Sequence, residues 1–192
     1  MSANYTIPAY ILCGGKSSRM KRDKALVLLQ EEPFIKHVVN ALNKTTTAIC
    51  LVSENRNYEQ FGLPLVADIY KDKGPLGGIH AALNHTQEER VLILSCDIPL
   101  INSQTLTRLV DAALSNPDAN IHFATANENW HPLIGVYAKA ILPDLKLALQ
   151  QNNLKLIDFI KTQTYKEIAI ADTRSLTNVN TPEALVEIQK II

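Results

Sequence analysis

Two stretches of this chain concentrate residues that could hold and move phosphate groups. The first is Ile11-Leu12-Cys13-Gly14-Gly15-Lys16-Ser17-Ser18-Arg19-Met20-Lys21-Arg22-Asp23-Lys24, where a double glycine is followed by Lys16, Arg19, Lys21, Arg22 and Lys24 against one acid, Asp23. Glycine lets a backbone approach an anion, free N–H groups point at it, and cations neutralise it. The second is Ser95-Cys96-Asp97-Ile98-Pro99, which follows the apolar run Val91 to Leu94. A carboxylate just past a buried strand lies where open α/β sheets bind ligands. One such carboxylate suits Mg²⁺, which keeps several waters and needs few protein ligands. Gly15-Lys16-Ser17 has the tail of a P-loop, but Tyr10 stands where that motif needs its first glycine, and no later glycine completes a dinucleotide fingerprint.

The remaining chemistry sits on loops. Of the seven glycines, five lie in the first stretch or in Gly74-Pro75-Leu76-Gly77-Gly78, which closes a loop opened by Asp68. Ser53 to Asn57 is a polar loop after the apolar run Ala48 to Val52. Trp130, His131 and Pro132 fall between two apolar segments, where a flat heterocycle could be lined or an aromatic simply packed. Asn178 and Asn180 share a face if their segment is extended, just before a helix capped by Thr181 with Pro182 at its first position.

Elements able to position these residues follow from periodicity. Residues 9–12, 48–52, 65–67 and 91–94 read as strands, alternating with helices marked by Ile35, Val38, Val39 and Leu42, by Ile79, Ala82 and Leu83, and by Leu106, Leu109, Val110 and Ala113. Ser103 reads as the cap of the last of these, which frees Asp97 from a capping role. Ala25 to Leu29 reads as extended, with Glu31-Glu32-Pro33 turning into a helix. Ile121 to Thr125 and Leu133 to Tyr137 read as paired strands, and residues 165–170 as another strand. Alternation of this kind predicts a three-layer α/β/α sandwich, Rossmann-like, with a mainly parallel sheet and both glycine loops and Asp97 on one rim.

Composition narrows the class. The 192 residues suit one domain, and nineteen basic residues cancel nineteen acidic ones, which argues against general nucleic-acid or membrane binding. Cys13, Cys50 and Cys96 lack metal spacing, cannot all pair, and read as reduced thiols of a cytoplasmic protein.

The motifs together resemble a known family. Leu12-Cys13-Gly14-Gly15-Lys16-Ser17-Ser18-Arg19-Met20 followed by Asp23-Lys24 is similar to the nucleotidyltransferase signature L-A-G-G-x-S-x-R-M-G-x-D-K, and Gly74 to Gly78 and Cys96-Asp97-Ile98-Pro99 resemble that family's second glycine segment and metal-binding C-D-x-P. His131-Pro132-Leu133-Ile134 and Asn178-Val179-Asn180-Thr181-Pro182-Glu183 look like the molybdenum cofactor guanylyltransferases of MobA type. The resemblance spans residues 8–188. It implies a single nucleotidyltransferase domain over residues 1–192, nucleotide-binding in its first half and acceptor-binding in its second, that uses Mg²⁺ to transfer GMP from GTP to molybdenum-bound molybdopterin. It implies nucleotide binding by Leu12, Cys13, Gly14 and Gly15, by Gly74 and Gly78, and by Asp68 at the nucleoside. Lys24 and Arg19 would meet the leaving pyrophosphate, Asp97 would hold Mg²⁺ and touch the nucleotide, and His131, Asn178 and Asn180 would face the pterin. Proteins that deliver molybdopterin are the implied partners. Three departures stand out: Cys13 for alanine, Lys21 for glycine, and Ser53 where an asparagine often reads guanine. The last keeps CTP, or another phosphate acceptor, open beside GTP, and a nucleotide-binding protein without turnover is a third reading.

Overall fold

The computed structural model describes residues 6–14 and 23–190. Its centre is a seven-stranded sheet. Four parallel strands come first in space: β1 (Ala9–Leu12) lies between β2 (Ile49–Val52) and β3 (Arg90–Ser95), and β4 (Leu65–Val66) forms the edge beside β2. Beyond β3 come β5 (Asn129–Ala138), antiparallel to both neighbours, then β6 (Ile121–Ala126), and finally β7 (Tyr165–Ala169), parallel to β6. The sheet is therefore mainly parallel, as its sequence pattern predicts.

Period-two alternation divides the core. Ala9, Ile11, Leu92 and Leu94 face α1 (Phe34–Leu42) and α3 (Ser103–Ser115). Tyr10, Leu12, Val91 and Ile93 face α2 (Gly74–His85), α4 (Leu142–Gln150) and α5 (Leu156–Lys161). With both faces covered, the strands read as unbroken apolar runs. A smaller cluster joins Val27, Leu29 and Phe34 to Val179 and to Ile188 of α6 (Pro182–Gln189).

Three expectations change. Ala25 to Leu29 is not one extended piece: Lys24–Leu26 forms a 3-10 turn, and only Leu28–Leu29 is a strand, paired with Glu32–Pro33 in a hairpin. The hairpin loop is Gln30-Glu31, both left-handed at φ 49° and 66°; such loops usually advertise themselves with Asn or Gly, so side-chain type gave no signal. Asn102, not Ser103, caps α3, its Oδ1 accepting from Thr105 N at 2.9 Å. Asp97 stays free of capping all the same. Trp130, His131 and Pro132 belong to strand β5 rather than to a connection, and the indole contacts Phe123 at 4.7 Å and Tyr165 at 5.3 Å between ring centres. That aromatic packing accounts for the tryptophan without a ligand.

Candidate active site

The chain leaves β1 toward β2 on one side and later returns to β3 on the other, so the crevice beyond Leu12 and its register partner Ser95 is a topological switch point. A cavity of about 770 Å³ opens there. Its floor is the ends of the strands: Leu12 and Gly14 after β1, Ser53 and Asn55 after β2, Asp68 after β4, and Ser95, Cys96 and Asp97 at the end of β3. Gly74, Pro75 and Gly78 bring the first turns of α2 against it. A Cβ on Gly78 would come within 3.1 Å of Leu12 Cδ2, so glycine is what lets this helix close on β1. The first turn of α2 thus borders the cavity, and the positive end of the helix dipole favours an anion there.

At one end of the cavity Lys24, Asp97 and Asn180 meet. Lys24 Nζ lies 3.2 Å from Asp97 Oδ2 and donates to Asn180 Oδ1. Val179 N donates to the Asp97 carbonyl at 2.8 Å, and this backbone tie is what delivers Asn180 to the lysine. Asn178, two residues back, is exposed. Asp97 is 8% exposed, and its second oxygen, Oδ1, has no partner among the described residues. One shielded carboxylate with an unused oxygen fits a hard cation that draws its other ligands from water and phosphate. No cluster of three or more His, Cys, Asp or Glu is found among the described residues.

The opposite end holds Asp68 and Ser53. Asp68 is half-buried, its Oδ1 unpaired, and burial followed by the charge of Glu54 raises its carboxyl above the usual range. Its Oδ2 lies 3.9 Å from where a Cβ on Gly14 would stand, so the two face each other closely. Ser53 Oγ accepts from Asn55 N at 3.1 Å. Asn55 in turn donates to Asp23 Oδ2 at 3.0 Å and accepts from Asn57 N at 3.0 Å. Ser53 and Asn55 are thus both held in local hydrogen bonds, and Asp68 Oδ1 is the unpaired polar atom at this end. Cys13 is a buried neutral thiol: its interaction with Cys96, then burial, hold it well above its usual pKa, so it fills the position of a small apolar residue.

Of the residues nominated from sequence, Leu12, Gly14, Lys24, Ser53, Asp68, Gly74, Gly78 and Asp97 line the cavity, and Asn180 reaches it through Lys24. His131 does not line it; it stands on β5 opposite Ala124, half-buried, with burial lowering its pKa. Gly15, Arg19 and Lys21 lie outside the described residues. Sequence reading passed over Asp23 and Tyr58. Asp23 Oδ1 accepts from Ala25 N at 3.2 Å and from Tyr58 OH at 2.5 Å. The acid beside Lys24 was visible as the lone negative charge of its stretch, but nothing near Tyr58 in sequence points to it.

An open sheet with glycine loops, a helix N-terminus, a lysine and a carboxylate at its switch point is the architecture of nucleotide-handling α/β proteins. Residues 9–166 match the MobA-like NTP transferase domain, and the chain belongs to that family. It is 40% identical over 182 residues to a Flavobacterium johnsoniae protein named "Probable molybdenum cofactor guanylyltransferase", covering 94% of this chain and 95% of that one. A Vibrio parahaemolyticus protein named "Molybdenum cofactor guanylyltransferase" is 36% identical, covering 92% of each. Among solved structures, the molybdopterin-guanine dinucleotide biosynthesis protein A of Archaeoglobus fulgidus superposes with a TM-score of 0.83 at 20% identity, over 96% of this chain and 98% of that one. A CMP:2-keto-3-deoxy-manno-octonic acid synthetase complexed with CTP gives 0.78 at 14% identity, over 97% and 98%. These last two show the fold. No helix among the described residues is long and apolar enough to cross a membrane.

Proposed function

We propose that this protein transfers GMP from GTP to the phosphate of molybdenum-bound molybdopterin, forming molybdopterin guanine dinucleotide and releasing pyrophosphate. The observation that carries the reading is the meeting of Lys24, Asp97 and Asn180 at the switch point, beside the α2 N-terminus. The names of relatives that match nearly the whole chain supply the acceptor and the base. An acceptor phosphate oxygen forms a bond to the α-phosphorus of GTP, and the bond to the bridging oxygen breaks, so pyrophosphate departs on the opposite side. The acceptor is already ionised near neutral pH and needs no general base. Catalysis then rests on positioning anions and neutralising charge.

Lys24 is assigned to the leaving pyrophosphate, with Arg19 as a second cation. Leu12, Cys13, Gly14 and Gly15 hold the nucleotide through backbone groups, and Gly74 and Gly78 give it room against α2. Asp68 takes the nucleoside. Asp97 is the residue to hold Mg²⁺, which when bound supplies charge neutralisation on the phosphates. Asn180, bonded to Lys24, lies between the two substrates, and Asn178 and His131 extend toward the pterin. Free, buried cysteines suit a reducing, cytoplasmic setting.

CTP in place of GTP is the second reading, and Ser53 is the residue that favours it. Its oxygen already accepts from Asn55 N, and base choice is assigned to the backbone of Leu12 to Gly14. Pyrophosphate release, with molybdenum-bound molybdopterin as acceptor, decides between them. GTP should be preferred; equal or faster turnover with CTP removes the guanylyl assignment, and no turnover with either removes the transferase.

A further inference from the structure

Tyr58 has a property that packing alone does not explain. The residue is fully buried in the 3-10 turn Arg56–Phe61 after β2, yet it carries a hydroxyl there instead of phenylalanine's hydrogen. Placing a phenol in such a site costs free energy unless the hydroxyl is paired. Its two partners are ten residues apart in the chain. Tyr58 OH lies 2.5 Å from Asp23 Oδ1 and 3.2 Å from the carbonyl oxygen of Cys13. Cys13 directly follows β1, and Asp23 directly precedes Lys24.

We propose that Tyr58 is a positioning residue: its hydroxyl ties Asp23 to the carbonyl of Cys13 and, through Asp23, holds Lys24 at the phosphate site. The proposal deepens the nucleotidyltransferase reading and rests on it. A tyrosine hydroxyl has one proton, and the ionised carboxylate is the stronger acceptor, so the bond to Asp23 dominates and the Cys13 carbonyl shares it more weakly. Burial, then the hydrogen bond to Asp23, raise the phenol's pKa, so the donor keeps its proton throughout the working range of pH. The same short turn grips Asp23 a second time. Asn55, its cap, donates Nδ2 to Asp23 Oδ2 at 3.0 Å while its Oδ1 accepts from Asn57 N. With Ala25 N, the carboxylate receives three donors that together fix its orientation.

Lys24 is the next residue along the chain, and its ammonium group must reach Asp97 and Asn180 from that anchored point. Displacement of a reacting or charge-stabilising group by about 1 Å can cost on the order of 10²-fold in rate. Loosening one of three bonds to Asp23 is a smaller disturbance, and a loss of about five- to tenfold in phosphate affinity is expected.

The test compares wild type, Tyr58→Phe, Lys24→Ala and the double variant. Binding of inorganic pyrophosphate with Mg²⁺ is measured by calorimetry, and Tm in the same buffer. Tyr58→Phe should weaken binding about five- to tenfold in the wild-type background and less than about twofold when Lys24 is already alanine. An unchanged affinity, or the same loss in both backgrounds, overturns the proposal and leaves Tyr58 a packing residue. Asp23→Asn is the second variant, needed if Tyr58→Phe does not fold. It keeps the side chain's shape but sets one amide NH₂ against the donors from Tyr58 or Asn55, and should give the same Lys24-dependent loss. A wild type that binds no pyrophosphate overturns Lys24 as a phosphate holder and this proposal with it. A wild type that binds pyrophosphate and shows the Lys24-dependent pattern, but transfers no GMP, leaves Tyr58's role standing and removes only the guanylyltransferase reading.

Discussion

His122 should make the fold sensitive to mild acid. It stands on β6 between Val136 and Lys166 in the sheet, shares a face with Ala124, and is completely buried. No hydrogen bond of normal geometry reaches either ring nitrogen among the described residues, and the Asn116 backbone, which favours the charged ring, is outweighed. Burial first, and then the Arg90 charge, push its pKa down to about 4. An unfolded chain returns it to roughly 6.5. Between those values the unfolded state binds a proton that the folded state refuses. Its stabilising contribution is therefore complete above pH 6.5 and is lost as pH falls toward 4. A separation of about 2.5 units at 1.36 kcal/mol each amounts to about 3 kcal/mol. That is a substantial fraction of the ~5–15 kcal/mol that usually separates folded from unfolded states. His122→Leu has a similar volume and no ionisable group, and at pH 7 it should unfold within about 1 kcal/mol of wild type, because both unpaired nitrogens go with the ring. Urea denaturation of both proteins at pH 7, 6, 5 and 4 makes the measurement. His80 and His131, also lowered by burial, act alike in both proteins and cancel in the difference. Wild type should lose about 3 kcal/mol more than the variant over this range. Parallel curves would refute the reasoning and show that the imidazole gains its proton without unfolding.

Three predictions concern the cavity. Asp97→Asn should shift Tm by no more than about 4 °C, since the amide can still accept from Lys24, yet lower GMP transfer at least ~10²-fold; near-normal transfer would remove Asp97 from the mechanism. Lys24→Ala should reduce kcat on the order of 10²-fold, whereas an unchanged kcat with raised KM would limit the lysine to GTP binding. Ser53→Ala should leave the ratio of kcat/KM for GTP and CTP within about threefold of wild type, because its hydroxyl is already engaged by Asn55 N at 3.1 Å. A tenfold loss specific to GTP would make residue 53 a reader of the base.

Much of this was legible because it is local. The stripes of α1 and α3 and the Thr181–Pro182 start of α6, where Thr181 Oγ1 accepts from Ala184 N at 3.2 Å, are short-range patterns that packing has no reason to override. Lys24 and Asp97 were also legible as individuals, each by its place after a strand. Their contact with one another was not, nor was Asn180 as the lysine's partner, since those distances depend on the backbone tie from Val179 to Asp97. The Gln30-Glu31 hairpin escaped notice because two ordinary residues adopt left-handed backbone that glycine or asparagine usually signals. Trp130 left two readings open, a stacking platform or a packed aromatic, and the second holds, because Phe123 and Tyr165, the latter remote in sequence, pack against it. Nothing beside Tyr58 in the sequence marks it, and only its neighbours in space, Cys13 and Asp23, engage the hydroxyl.

The bond between Lys24 and Asn180 joins positions 156 residues apart, and that span has a genetic consequence. Every strand of the sheet is complete by Ala169, and residues 171–174 are exposed. A premature stop codon just beyond that point spares all seven strands while removing Asn180, which with Asp97 holds the lysine, and Val179, whose N–H ties that segment to Asp97. The same lesion strips Val179 and Ile188 from the small cluster that backs the hairpin after Lys24. Late nonsense alleles, and single protease cuts in residues 171–174 that let the tail separate, are therefore expected to silence this protein while much of its central sheet still assembles.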